Sequence, residues 1–278
     1  GMSIARLMQV AAAGNVPSGP VWTDPDLANA SYDSVSFSVL SQDNSPSGIF
    51  FKPDGYTLYI SGYQNASVYE YSLSSAWDIS AMSYVGSFDV SSQDDIMTDL
   101  FFKPDGLKMY LIGNVNDNVY EYDLSTAWDI STASYSQSLS ILTQESASQG
   151  LFFKPDGSKM YITGSVSDSI HEYDLSSAWD ISTASFLQSL SVSAQEIGPL
   201  GLFFNPNGTK MYFSGFGGDD VNEYDLSTAW DISTASYVQN FYVGSQDTNP
   251  TGVTFKSDGS KMYIMGIQND TIYQYSTA

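Results

Sequence analysis

Gly55, Gly106, Gly157, Gly208 and Gly259 stand 51 residues apart, and much of the chain keeps that step. Trp77, Trp128, Trp179 and Trp230 follow it, as do Gln42, Gln93, Gln144, Gln195 and Gln246. A fixed period of this length, rich in strand-forming Tyr and Phe, belongs to a propeller or a solenoid. One unit reads Gly-Leu-Phe-Phe-Lys-Pro-Asp-Gly, then x-Lys-Met-Tyr-Ile-x-Gly, an Asn/Asp/Ser loop, and Val-Tyr-Glu-Tyr-Asp-Leu. It continues through Ser-Thr-Ala-Trp-Asp-Ile-Ser to a Ser-rich stretch ending in Gln-Asp or Gln-Glu. Four short strands follow from this; in the second unit they fall near 100–103, 108–113, 118–123 and 134–142. Pro-Asp-Gly makes the first turn tight. The 125–129 segment reads as one helical turn capped by Ser125. Its Trp is expected as a plug between neighbouring units.

The chain ends explain how the units close. The fifth unit stops at Ala278 after its third strand. The missing fourth strand lies near the start, where Phe37 stands 51 residues before Phe88 and Trp22 supplies the fifth Trp. The N-terminal strand is therefore expected to complete the last unit, leaving no open sheet edge. A solenoid would carry distinct caps instead of one divided unit. The expected fold is all-β: a five-bladed β-propeller of four-stranded antiparallel blades, spanning 20–278. Residues 1–19 form an arm, in which 2–14 read as a short amphipathic helix able to dock on another protein.

Composition narrows the partners. The net charge is −22, with 9 Lys plus Arg against 31 Asp plus Glu. Such a chain repels phosphate backbones, so nucleic acid is not an expected partner. No apolar run is long enough to span a membrane. Cysteine is absent, so thiolate metal sites and disulfides are excluded.

The phrase Phe-x-Pro-Asp-Gly-x-x-Met-Tyr-Ile stands, with small variations, at 51–60, 102–111, 153–162 and 204–213. It resembles the propeller repeats of the WD-like and YVTN-type superfamilies; the fifth unit departs, with Ser257 in the Pro slot. Tyr-Asp-Leu-Ser-Thr-Ala-Trp-Asp-Ile-Ser-Thr-Ala-Ser-Tyr, at 122–135 and 224–237, is similar to repeats of marine bacteriophage and bacterial proteins of unassigned role. The opening Met-Ser-Ile-Ala-Arg-Leu-Met-Gln is similar to the start of some phage structural proteins. The repeat resemblance covers 20–278 and implies a propeller. The opening implies a virion part, with virion protein partners held through residues 2–14.

Charge is divided between the two ends of such a ring. All eight lysines lie in or beside the first turn of each unit, on what we call the bottom face. The opposite, top face carries twelve carboxylates and no Lys or Arg. Its candidate ligand-binding residues are Gln42 with Asp43, Gln93 with Asp94, Gln144 with Glu145, Gln195 with Glu196, and Gln246 with Asp247. These amide–acid pairs can clamp loops or bind sugar hydroxyls. Asp99 joins them because its four equivalents are glycine, and its place before the first strand puts it near the channel mouth. Asp117, Asp168, Asp219 and Asp270 are the candidate metal ligands, as one carboxylate per hairpin loop; Ca²⁺ is the ion they would take. The bland reading of those four is turn chemistry. No resident cofactor is implied. Glu70, Glu121, Glu172 and Glu223 are expected to pair with a neighbour or face the groove between blades. His171, the sole His, has no partner that would make a triad or metal site.

The functional expectation is a non-catalytic binding or structural protein. A virion, tail-associated or surface-adhesion component would bind a glycan or host-surface ligand on the acidic top face. The corresponding compartment is the virion or the extracellular space. Two alternatives stand beside it. One is a glycoside-acting enzyme with its active site at the channel mouth, which would need two or three unlike carboxylates converging there. The other is a protein-interaction scaffold.

Overall fold

The computed structural model describes residues 20–278 as five four-stranded antiparallel sheets arranged as blades around one axis. The expected N-terminal helix and its partner contacts fall outside those residues. In the first blade the strands run, from axis to rim, Pro46–Phe51, Thr57–Gly62, Ser67–Leu73 and Met82–Asp89. The second repeats this at Met97–Phe102, Lys108–Gly113, Asn118–Leu124 and Ala133–Ser140. The inner strand therefore begins earlier, and the outer strand ends earlier, than the sequence pattern indicates.

The ring closes as expected. Ser31–Ser38 pairs antiparallel with Thr271–Ser276, giving the last blade its outer strand. A bulge between Tyr32 and Val35, with Ser34 at φ 58°, takes up the irregular register. It presents Asp33 to Lys261 Nζ at 2.7 Å and to the Gln274 amide at 2.9 Å.

Blades adhere through five apolar layers. In the second, Tyr59 of one blade packs on Phe102 of the next at 4.4 Å between ring centroids. The Tyr59 hydroxyl then donates to the Trp128 carbonyl at 2.5 Å. Tyr110, Tyr161 and Tyr263 reach the carbonyls of Trp179, Trp230 and Trp77 in the same way. Each of those four Trp residues has φ of 65–66°, a region that costs a bulky residue steric strain. Ring packing and a backbone bond hold it: Trp128 N donates to Gly106 O at 2.9 Å. Gly106 has φ 74°, and a Cβ there would lie 2.4 Å from the Trp128 indole nitrogen, so the turn and the plug require each other. Trp22 fills the fifth slot differently. It stacks on Phe203 at 6.0 Å, while the backbone bond is made by Thr23 N to Asp258 O. The Tyr212 hydroxyl faces Glu223 instead of a Trp carbonyl.

One local expectation is corrected. The helical turn between the third and outer strands is a single 3-10 turn at Ile130–Thr132, capped by Asp129 and not by Ser125. Asp129 accepts from Ser131 N at 3.0 Å, because the left-handed Trp128 delays the turn by four residues. Asp78, Asp180 and Asp231 do the same in their blades.

Candidate functional site

The inner strands start at the top, so their first residues and the neighbouring hairpin loops surround the mouth of the central channel. They enclose a cup of about 680 Å³, within the size range of small-molecule sites. Below it the channel narrows to a void of about 40 Å³. Phe50, Phe101, Phe152 and Phe203 fill the channel there, edge to face, at 5.0–5.5 Å between neighbouring rings. The cup therefore opens upward only.

Its wall is asymmetric although its frame is not. The second position of the inner strand is Ser47, Thr98, Gln149, Leu200 and Thr251 in the five blades. The Ser47 and Thr98 hydroxyls donate to backbone carbonyls of the next blade, at 2.7 Å and 3.1 Å. Gln149 instead reaches Ser165 at 3.2 Å, and Leu200 is apolar. Tyr63, Phe216 and Ile267 add ring and aliphatic surface from the hairpin loops. Asp168 is the carboxylate among the lining residues. It sits at φ 47°, and its Oδ1 accepts from Gly198 N of the next blade at 2.8 Å, which fixes its orientation.

The paired amides and acids lie elsewhere. Asp43, Asp94, Glu145, Glu196 and Asp247 are all buried, tucked against the hairpin loop of the blade they lead into. Asp94 accepts from Ile96 N and Asn116 N at 3.0 Å each, and from the Tyr120 hydroxyl at 3.0 Å. Asp43 and Asp247 hold their loops through the same kinds of bond. The amide oxygens of Gln42, Gln93, Gln144, Gln195 and Gln246 accept from Tyr71, Tyr122, Tyr173, Tyr224 and Tyr275. That is the geometry of a clamp, with a tyrosine hydroxyl where loop backbone was expected. The top face consequently shows solvent fewer carboxylates than its sequence suggests. Glu145 works against its burial through His171, 3.5 Å away, and the Ser167 hydroxyl, which hold it down to about 2. His171 is occupied on both sides, with Ser189 at 2.8 Å from Nδ1.

Asp99 is deeper than expected. Instead of standing at the mouth it is buried in the channel, where it accepts from Leu100 N at 2.8 Å and Leu151 N of the next blade at 2.9 Å. Burial pushes its carboxyl up to about 8, against the pull of those two bonds. Asp117, Asp168, Asp219 and Asp270 all adopt left-handed turn conformations, φ 47–50°. They are distributed one per blade, and no group of three or more Asp, Glu, His or Cys is placed to hold a metal among the described residues. Glu121 and Glu172 lie between blades. Glu121 accepts from Gln137 at 2.9 Å and Ile181 N of the next blade at 3.3 Å, and pairs with Lys108. Among the described residues no helix is long and apolar enough to cross a membrane.

No protein-family model and no curated protein matches the sequence. Solved structures do share the fold. A protein from Lactobacillus plantarum aligns at TM-score 0.52 and 15% identity, over 83% of this chain and 67% of its own. A Bacteroides uniformis protein assigned to the 6-phosphogluconolactonases gives 0.50 and 13%, over 80% and 64%. The periplasmic gluconolactonase of Pseudomonas aeruginosa gives 0.50 and 15%, over 83% and 66%. The chain thus spans about two thirds of the length of each, and at these identities the likeness is one of fold.

These neighbours correct the functional expectation. The expectation was a non-catalytic protein, yet propellers that share this fold include proteins named as lactonases. The fold therefore gives no ground for a non-catalytic role, and none of these neighbours supports a virion or adhesion part.

Proposed function

We propose that the chain is a hydrolase acting on a small, uncharged, polyhydroxylated lactone in the top cup, with Asp168 as the general base. The observation that carries this is one oriented carboxylate in the wall of a blind, mixed polar and apolar cup. Glycoside cleavage needs a pair of carboxyl groups flanking the bond, and the cup wall offers one. Ester hydrolysis needs one base and donors for the oxyanion. Asp168 takes a proton from water as the water oxygen bonds to the lactone carbonyl carbon. The ring C–O bond then breaks, and the same proton passes to the leaving alkoxide, giving the open-chain hydroxy acid. Gln149 and Asn249 line the cup with amide N–H groups for the developing oxyanion. Tyr63 and Phe216 offer faces for the sugar ring. A phosphorylated lactone is disfavoured, since among the described residues no Lys or Arg lines the cup and the whole chain carries −22. The amide–acid pairs serve this reading as clamps that hold the loops of the wall.

The test is the rate of D-glucono-1,5-lactone hydrolysis above the spontaneous background, followed by acid release, with the 6-phosphate compared in parallel. Loss of a general base costs about 10²–10⁴-fold, so Asp168→Asn should fall into that range while keeping its bond to Gly198 N. Full activity in that variant, or preference for the phosphate, refutes the assignment.

A further inference from the structure

The cup wall changes chemistry at the fourth blade. Where the inner strands of the other blades place Ser47, Thr98, Gln149 and Thr251, this blade has Leu200. The loop leading into it has Ile197, where the siblings carry Asn44, Asp95, Ser146 and Thr248. Its hairpin loop opens on Phe216, in a row that otherwise holds Tyr63, Asn114, Ser165 and Ile267. Two rows that are polar everywhere else, and a third that is mixed, thus turn apolar together in one sector of the wall.

The backbone brings the three side chains to one corner. Phe216 N donates to Gly198 O and Gly217 N to Ile197 O, each at 3.2 Å, so the two loops run side by side. Gly217 makes the approach possible: a Cβ there would lie 2.7 Å from Ile197 Cγ1, and its siblings Gln64, Val115, Val166 and Gln268 all carry one. Leu200 is 9% exposed, whereas Ile197 and Phe216, in the loops above it, are 62% and 57% exposed. Scattered apolar side chains on a surface need no explanation. Three that line one side of a concave cup form a seat for an apolar group. The seat adjoins the carboxylate, because Gly198, which donates to Asp168 Oδ1 at 2.8 Å, stands between Ile197 and Leu200. Elsewhere the inner-strand row returns to hydroxyls at Ser47, Thr98 and Thr251. A bare sugar ring would use that polar side and leave the seat in water. The cup, at about 680 Å³, has the size of sites that take drug-sized ligands.

We propose that the ligand of the cup is amphipathic, a hydroxylated ring bearing an alkyl chain that lies along Leu200, Ile197 and Phe216. This rests on the reading of the cup as a lactonase site, and on that reading the substrate is an alkyl-bearing hydroxylated lactone. Its ring hydroxyls meet the hydroxyl and amide side of the wall, and its chain runs from Leu200 toward the rim. Each methylene taken out of water strengthens binding about fourfold.

The experiment is calorimetric titration of the full chain with methyl and n-hexyl β-D-glucopyranoside, which share a ring and need no lactone turnover to be read. The hexyl compound should bind at least about tenfold more tightly, the gain from burying two methylenes. Leu200→Thr combined with Phe216→Ser installs residues that sibling blades carry at those positions, so it should fold. It should bring the two affinities within about twofold and leave that for the methyl compound unchanged. Equal affinities in the wild type, binding of neither compound, or a hexyl preference that survives in the double variant would overturn the proposal. A hexyl preference in a chain that turns over no lactone keeps the alkyl seat and refutes the hydrolase reading. Gluconolactone turnover without a hexyl preference does the reverse.

Discussion

Replacing Asp99 with Asn should flatten one component of the pH dependence of stability, and its size follows from the structure. Asp99 is 5% exposed, and burial raises its carboxyl from 3.8 to about 8. Its folded value lies above its unfolded one, so between those values the folded chain keeps a proton that the unfolded chain has released. Stability from this group therefore falls as pH rises through that window, and is level above it. From about pH 5 to about pH 8 the loss is three units at 1.36 kcal/mol each, or about 4 kcal/mol at most. Asn cannot titrate, and its single carbonyl oxygen keeps one of the two N–H partners, a pH-independent cost. Urea unfolding of both proteins across that range gives the gap directly, because other titrations act on both. The variant should gain on the wild type steadily toward alkaline pH. A gap that stays constant would refute the argument that Asp99 is held protonated in the channel.

Trp128→Ala should lower stability by about 3–5 kcal/mol, since it empties an inter-blade slot and frees the left-handed turn; a loss under 1 kcal/mol in urea unfolding would deny the plug role. Asp94→Ala strands the Ile96 and Asn116 N–H groups and the Tyr120 hydroxyl and should cost about 1–3 kcal/mol or more, with lactone turnover changed far less than in Asp168→Asn. Equal damage to turnover and no loss of stability would turn the clamp into a ligand site. Removing residues 1–38 should expose the edge of Thr271–Ser276 and produce aggregates visible by light scattering; a monodisperse product of full stability contradicts closure by the N-terminal strand.

Much of the frame was legible because the repeat is a physical ruler. Gly106 and its equivalents mark one turn per blade, and the divided fifth unit gives away the closure. Local details were lost where two residues could serve one purpose. Ser125 and Asp129 are both good caps, and the left-handed Trp128 between them decides for the second. The acids were harder. Whether Asp94 faces solvent or its own loop depends on where the Asn116 and Tyr120 donors fall, which spacing alone does not give. The cup was missed because repetition drew attention to what the blades share. Its wall is made from what they do not share, at Gln149 and Leu200 in one row and at Tyr63, Phe216 and Ile267 in another.

The most direct measurement is a crystal structure of the chain soaked with the lactam analogue of gluconolactone, which keeps the ring and resists hydrolysis. The ring should occupy the top cup, with its carbonyl carbon facing a water held by Asp168 and its carbonyl oxygen toward Gln149 or Asn249. A ring bound on the lysine-bearing bottom face, or an empty cup at saturating analogue, would contradict the placement of the site.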